Sequence, residues 1–157
     1  VIRPARPGDA DVIATIWNAI IRDTVITFTT AEKTPDALAR SMEDGAPFVV
    51  AEHVGGVVGF ATASQFRGGP GYAHTWEHSI HVADTARGRG IGRALMAAIE
   101  AALRARGAHS VFAGVSGENA EAIAFHTALG YAEAARLREV GWKFGRWHDL
   151  VLLQKML

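Results

Sequence analysis

No cysteine occurs among the 157 residues, so the chain has neither a disulfide nor a thiol nucleophile to offer, a composition that suits a reducing compartment. It has no surplus charge either. Sixteen Lys and Arg balance sixteen Asp and Glu, which removes the overall positive field by which proteins hold nucleic acid or anionic membrane. Long hydrophobic runs are missing: VFAGV (111–115) and LVLL (150–153) are far too short to cross a bilayer, and VIRPARPGDAD at the start has no signal-peptide core. These absences predict an unexported, cytoplasmic protein with a small-molecule partner, no membrane and no nucleic acid. Two familiar phosphate-binding patterns are absent as well. No Gly-Lys-Ser/Thr follows a glycine loop, and Gly88, Gly90 and Gly92 do not spell the dinucleotide fingerprint.

What is present begins with a hydrophobic content of 49%, enough for one core in a single domain over residues 1–157. A short β-prone start (1–5) precedes a helix marked by Val12, Ile13, Ile16, Trp17, Ile20 and Ile21. Thr34-Pro35-Asp36 caps a second helix running to about Glu43, which leaves the Thr-rich stretch around Phe28 as a loop. PFVVAEH and VVGFATASQF flank Gly55-Gly56 as a hairpin, and RGGPGYAH (67–74) reads as a loop. TWEHSIHV (75–82) alternates as a strand, placing Glu77, Ser79 and His81 on one face and Trp76, His78, Ile80 and Val82 on the other. A helix from Ile91 to about Arg106, a strand over 109–115, a helix over 116–129 with Ser116, Glu118 or Asn119 near its start, and two strands (131–140 and 147–157) around a turn at 141–146 complete the reading.

The segment TARGRGIGRAL (85–95) sets three glycines among three arginines directly before a helix. Glycines let the main chain approach a ligand, and a helix start offers unpaired N–H groups and a positive dipole end, which together make a phosphate cradle. Arg87-x-x-Gly90-x-Gly92, followed by Asn119, Ala122, Phe125, His126, Gly130 and Tyr131 at their spacing, resembles the GNAT superfamily of acyl-CoA N-acyltransferases. TFTTAEKTP, YAHTWEHSIHV, HTALGY and GWKFGRWHD narrow the resemblance to its phosphinothricin and methionine sulfone/sulfoximine acetyltransferase branch.

That resemblance implies an α/β GNAT fold, a mixed and mainly antiparallel sheet with helices on both faces, using acetyl-CoA as co-substrate and commonly forming homodimers. Gly88, Arg89, Gly90, Ile91, Gly92 and Arg93, with Arg87 beside them, are then the CoA diphosphate site. The main chain of Ile80, His81 and Val82 is expected to pair with the pantetheine arm, and Asn119 belongs to the same signature. Glu77, a charge in the middle of an otherwise apolar strand, is the candidate base, although it would also serve by pairing with an arginine. His126 stands where many superfamily members carry a tyrosine that protonates the leaving sulfur; it is a candidate proton donor or a packed helix histidine. Phe28, Arg67 and Tyr72 match positions lining the branch's amino-acid pocket, with Arg67 as a carboxylate fork. Lys143, Trp147 and His148 match a branch motif without a role legible in the sequence. His74, Glu77, His78 and His81 invite a metal reading, but strand alternation splits them, and no metal is expected. The rival functions are acetylation of a protein N-terminus or ribosomal-protein side chain, which needs an open groove, and a non-catalytic acyl-CoA-binding regulator, which needs neither Glu77 nor the pocket loops.

Overall fold

The seven strands of the computed structural model, which describes all 157 residues, form one sheet in the order β1-β2-β3-β4-β5-β7-β6. The strands are β1 (Ile2–Pro4), β2 (Phe48–His53), β3 (Gly56–Gln65), β4 (Thr75–Val82), β5 (Ser110–Ser116), β6 (Ala132–Lys143) and β7 (Arg146–Met156). Four helices accompany them: α1 (Ala10–Asp23), α2 (Pro35–Glu43), α3 (Ile91–Ala105) and α4 (Ala120–Ala128). Every neighbouring pair is antiparallel except β4 and β5. Parallel neighbours need a crossover, and α3 supplies it.

Alternation along the central strands divides the interior in two. Phe48, Val50 and Phe60 point to one face and bury Ile13 of α1 and Leu38 of α2. Val49, Ala51, Ala61, Val111, Ala113 and Val115 point to the other, where Leu95, Met96, Ile99 and Leu103 of α3 close the larger core. Helices therefore cover both faces. The alternation expected of β4 follows the same division: Trp76, Ile80 and Val82 pack on the α3 side, while His81 sits against Trp17 and Phe60 on the α1 side.

Two boundaries differ from those read in the sequence. The final hairpin turns on Phe144 and Gly145 alone, both with positive φ (53° and 72°), so β6 extends to Lys143 and β7 begins at Arg146. A two-residue turn of that kind matches the twist of the strands it joins, and it places Trp142 and Lys143 in the sheet rather than in a loop. The fourth helix starts at Ala120, not Ser116. Asn119 caps it, its Oδ1 accepting from the Ala122 N–H at 3.1 Å, and β5 claims the residues up to Ser116.

Candidate active site

The parallel pair β4/β5 comes apart halfway. Pairing runs from Thr75↔Ser110 to His78↔Ala113 and then stops, so Ser79 to Val82 keep β3 on one side and have no strand on the other. The resulting fork opens into a cavity of about 730 Å³ bounded by β4, the Arg87–Arg93 loop, α4 and the loop carrying Phe28.

At one end of the fork lies the glycine loop. Gly88 and Gly90 both take positive φ (78° and 74°), with open space where a Cβ would stand. Gly90 immediately precedes α3, whose first-turn N–H groups thus face the cavity in the arrangement that suits a diphosphate. Gly92 has a separate reason to lack a side chain, because a Cβ there would lie 3.2 Å from the Phe125 ring. Of the three arginines, Arg87 and Arg93 line the cavity, Arg87 meeting Asp84 at 3.1 Å. Arg89 turns away to His53, at 2.7 Å. Ile91 and Asn119 line the cavity too.

Glu77 stands at the neck, the last position but one before β4 leaves β5. Its carboxylate has no ion-pair partner, and burial raises its pKa above the usual carboxylate value. No arginine neutralises it, so the pairing role considered for it is not the one observed. Gly114 of β5 makes room for it: a Cβ on Gly114 would lie 2.8 Å from the Glu77 Oε2. A glycine inside a strand marks such an approach, and Gly114 carried that signal in the sequence.

His126 lines the same cavity, buried, with both ring nitrogens engaged. Nδ1 donates to the Ala122 carbonyl at 2.8 Å, so Nε2 presents its lone pair, and His78 Nε2–H donates to it at 3.1 Å. That tautomer assignment follows from the carbonyl, which only accepts. The His78 Nδ1 is left buried without a partner. Burial lowers both imidazoles, His78 to about 3, and His126 has no free N–H to give a leaving group.

The loop after α1 is held from the far side of the site. Phe28 lines the cavity, stacks on His148 at 5.5 Å and fills the space left by Gly141, where a Cβ would collide with its ring. The Lys143 side chain, 2% exposed, donates from Nζ to the carbonyls of Thr24 (2.7 Å) and Thr27 (2.8 Å). His148 completes the clamp with Glu118 (2.6 Å) and the Lys143 carbonyl (3.0 Å). Arg146 and His148 hold the Glu118 carboxyl down to about 2. The branch motif GWKFGRWHD thus acquires a physical role, which needed contacts between residues more than a hundred positions apart. Arg67 and Tyr72 are exposed on the β3–β4 loop and line no part of this cavity; Tyr72 packs on Phe66, which stacks on Phe112 beside Glu77.

The four residues of the metal reading do not converge. His74 contacts the Gly107 carbonyl, His78 lies in the histidine pair, and His81 is among aromatic rings.

A fork in a mixed sheet, closed at one end by a glycine-helix junction and at the other by a carboxylate, defines an acyl-CoA N-acyltransferase, and comparison agrees. Residues 13–131 match the acetyltransferase (GNAT) family. The L-amino acid N-acyltransferase MnaT of Escherichia coli is 35% identical, with 99% of this chain and 93% of that protein covered. An L-methionine sulfoximine/L-methionine sulfone acetyltransferase of Pseudomonas paraeruginosa is 35% identical over 98% of this chain and 92% of its own. A phosphinothricin N-acetyltransferase of Streptomyces coelicolor is 34% identical over 99% and 95%. Among solved structures, a phosphinothricin acetyltransferase from Sinorhizobium meliloti in complex with acetyl-CoA superposes with a TM-score of 0.92 at 33% identity, covering 100% of this chain and 88% of that one. The ribosomal-protein-alanine N-acetyltransferase from Brucella melitensis gives 0.94 at 38% identity, covering 100% and 99%.

The chain belongs to the GNAT acetyltransferase family. It is an acetyl-CoA-dependent N-acetyltransferase.

Proposed function

We propose that the protein acetylates the amino group of a small amino acid or amino-acid analogue of the phosphinothricin, methionine sulfoximine or methionine sulfone type. The observation that carries this reading is the half-buried Glu77 carboxylate, unpaired at the neck of the fork. An amine is mostly protonated near neutrality, and a carboxylate whose pKa is raised accepts its proton more readily than an ordinary one. The amine nitrogen then attacks the thioester carbonyl, the nitrogen releases its second proton to solvent, the carbon–sulfur bond breaks, and the departing thiolate takes a proton from solvent. His126 also lines the fork. To deliver a proton it must first receive one at Nε2, displacing His78.

Main-chain N–H groups of Gly88 to Gly92, with Arg87 and Arg93, hold the CoA diphosphate, and the bare edge of Ile80 to Val82 receives the pantetheine arm. Phe28, fixed by Lys143 and His148, narrows the acceptor end, which favours a small acceptor over a protein N-terminus threaded through an open groove. Arg67 and Tyr72 lie on the loop leading into the Glu77 strand, outside the cavity. Exposed Val140, Trp142, Phe144 and Trp147 on the last hairpin are the apolar surface that suits a homodimer. No helix is long and apolar enough to cross a membrane; a cytoplasmic setting fits the cysteine-free chain.

The test is acetyl-CoA turnover over free amino acids and their sulfoxide, sulfone and phosphinate analogues, repeated with Glu77→Gln. Turnover confined to one analogue class, cut about a hundredfold by the substitution while acetyl-CoA affinity holds, is the expected result. Preferential turnover of N-terminal peptides, or full activity in Glu77→Gln across the pH range, would overturn it.

A further inference from the structure

We infer that a second cavity, on the α1/α2 face of the sheet, is the subsite for the acceptor's carboxylate, with Lys33 as the cation that receives it. This rests on the amino-acid N-acetyltransferase reading above.

The cavity holds about 480 Å³ and is lined by Trp17, Lys33, Ser41, Ser64 and Ser79 over an apolar floor that includes Leu38 and Phe48. Glu77 lines it as well, and Glu77 also lines the acetyl-CoA fork, so one residue bounds both spaces. An acceptor resting in the second cavity therefore presents its amine to the group that must deprotonate it.

Three ionisable side chains bound this space: Glu32, Lys33 and Glu77. Glu32 is neutralised by Arg22 at 2.8 Å. Glu77 is unpaired and placed for the amine. Lys33 pairs with no carboxylate; its ammonium lies 4.6 Å over the centre of the Trp17 ring. An indole face holds a cation in place without neutralising it, which leaves the charge available to an arriving anion.

The backbone beneath Lys33 is fixed rather than free. The side-chain amide of Asn18 accepts from the Lys33 N–H at 2.7 Å and donates to the Lys33 carbonyl at 2.9 Å, tying the loop to α1 at that residue. The N-terminal end of α2 opens beside it at Thr34 and Ala37 and adds positive potential of the same sign. A cavity with a tethered cation on one wall, a lone carboxylate on another and serine hydroxyls between is complementary to a molecule that carries a carboxylate and an amine together. Arg67, the fork suggested by the sequence, lines neither cavity.

The experiment compares the wild type with Lys33→Met, Lys33→Arg and Arg67→Ala, using methionine sulfone and its decarboxylated amine as acceptors. Loss of one charged hydrogen-bond partner is expected to raise the methionine sulfone KM about tenfold to a hundredfold in Lys33→Met, leaving the KM of the amine and of acetyl-CoA unchanged. Lys33→Arg should recover part of the loss. Equal effects on the two acceptors, no effect, or discrimination lost in Arg67→Ala and kept in Lys33→Met would each overturn the assignment. If the wild type turns over neither acceptor, the substrate reading fails on its own. Calorimetry of methionine sulfone with CoA-saturated protein then decides the subsite: binding by the wild type that weakens in Lys33→Met sustains it, and absent or equal binding overturns it.

Discussion

The Glu77 carboxylate occupies the space that a side chain at Gly114 would need, its Oε2 lying 2.8 Å from where that Cβ would stand. The proposed base is thus aimed by what its neighbour lacks. Gly114→Ala should lower kcat at least tenfold, because Glu77 must swing from the neck of the fork, and the acetyl-CoA KM should stay unchanged. Steady-state kinetics beside a thermal melt checks this: a normal kcat in a folded variant would show that the carboxylate has no need of that position.

Gly90 is left-handed, at φ 74°, with nothing near its missing side chain. Gly90→Val should therefore cost conformational strain of about 1–2 kcal/mol and, beyond that, obstruct the ligand's approach to the main chain. CoA affinity measured by calorimetry is expected to fall by more than that strain accounts for. Unchanged affinity in folded protein would remove the loop from the diphosphate site.

Lys143 holds the loop that carries Phe28. Its ammonium donates to the Thr24 and Thr27 carbonyls and to the Thr27 hydroxyl of the loop it holds, and burial lowers its pKa. Lys143→Met should release residues 24–28 and raise the acceptor KM several-fold with little change in the acetyl-CoA KM. Faster amide exchange confined to that loop would identify positioning as the cause; a uniform fall in stability with both KM values unaltered would not.

Histidines govern the response to acid. Burial holds His78 down to about 3, His81 to about 4, and His126 below its ordinary value. Below about 6.5 the unfolded chain binds protons at these sites and the native chain does not, so stability should fall as pH drops from there toward about 4. Glu77 works in the opposite sense, since its raised native pKa makes the folded form take up a proton first as the pH enters the carboxylate range. Melting temperatures measured between pH 7.5 and 5 should decline, less steeply in His78→Gln. A flat profile would mean the imidazoles are not held neutral.

The sequence was most informative where chemistry is local. Alternation in TWEHSIHV put Glu77 and His78 on opposite faces, and glycine spacing marked the loop before α3. Residues whose meaning lies in a distant partner were silent. Lys143 looks like an ordinary hairpin lysine until Thr24 and Thr27 arrive beneath it, and His126 looks free to donate until His78 closes on its second nitrogen. Arg67 illustrates the reverse case: residue type and loop position commend it, yet it lines neither cavity.

The parting of β4 from β5 gives the co-substrate a second identity. A sheet that leaves one strand edge bare from Ser79 to Val82 is unfinished as a piece of architecture, and the arm proposed to lie along that edge supplies the missing neighbour. Acetyl-CoA is then a removable structural part as well as a reagent. On that reading each turnover ends by withdrawing a strand-like element from the middle of the sheet, and the edge from Ser79 to Val82 is bare again when the next cycle begins.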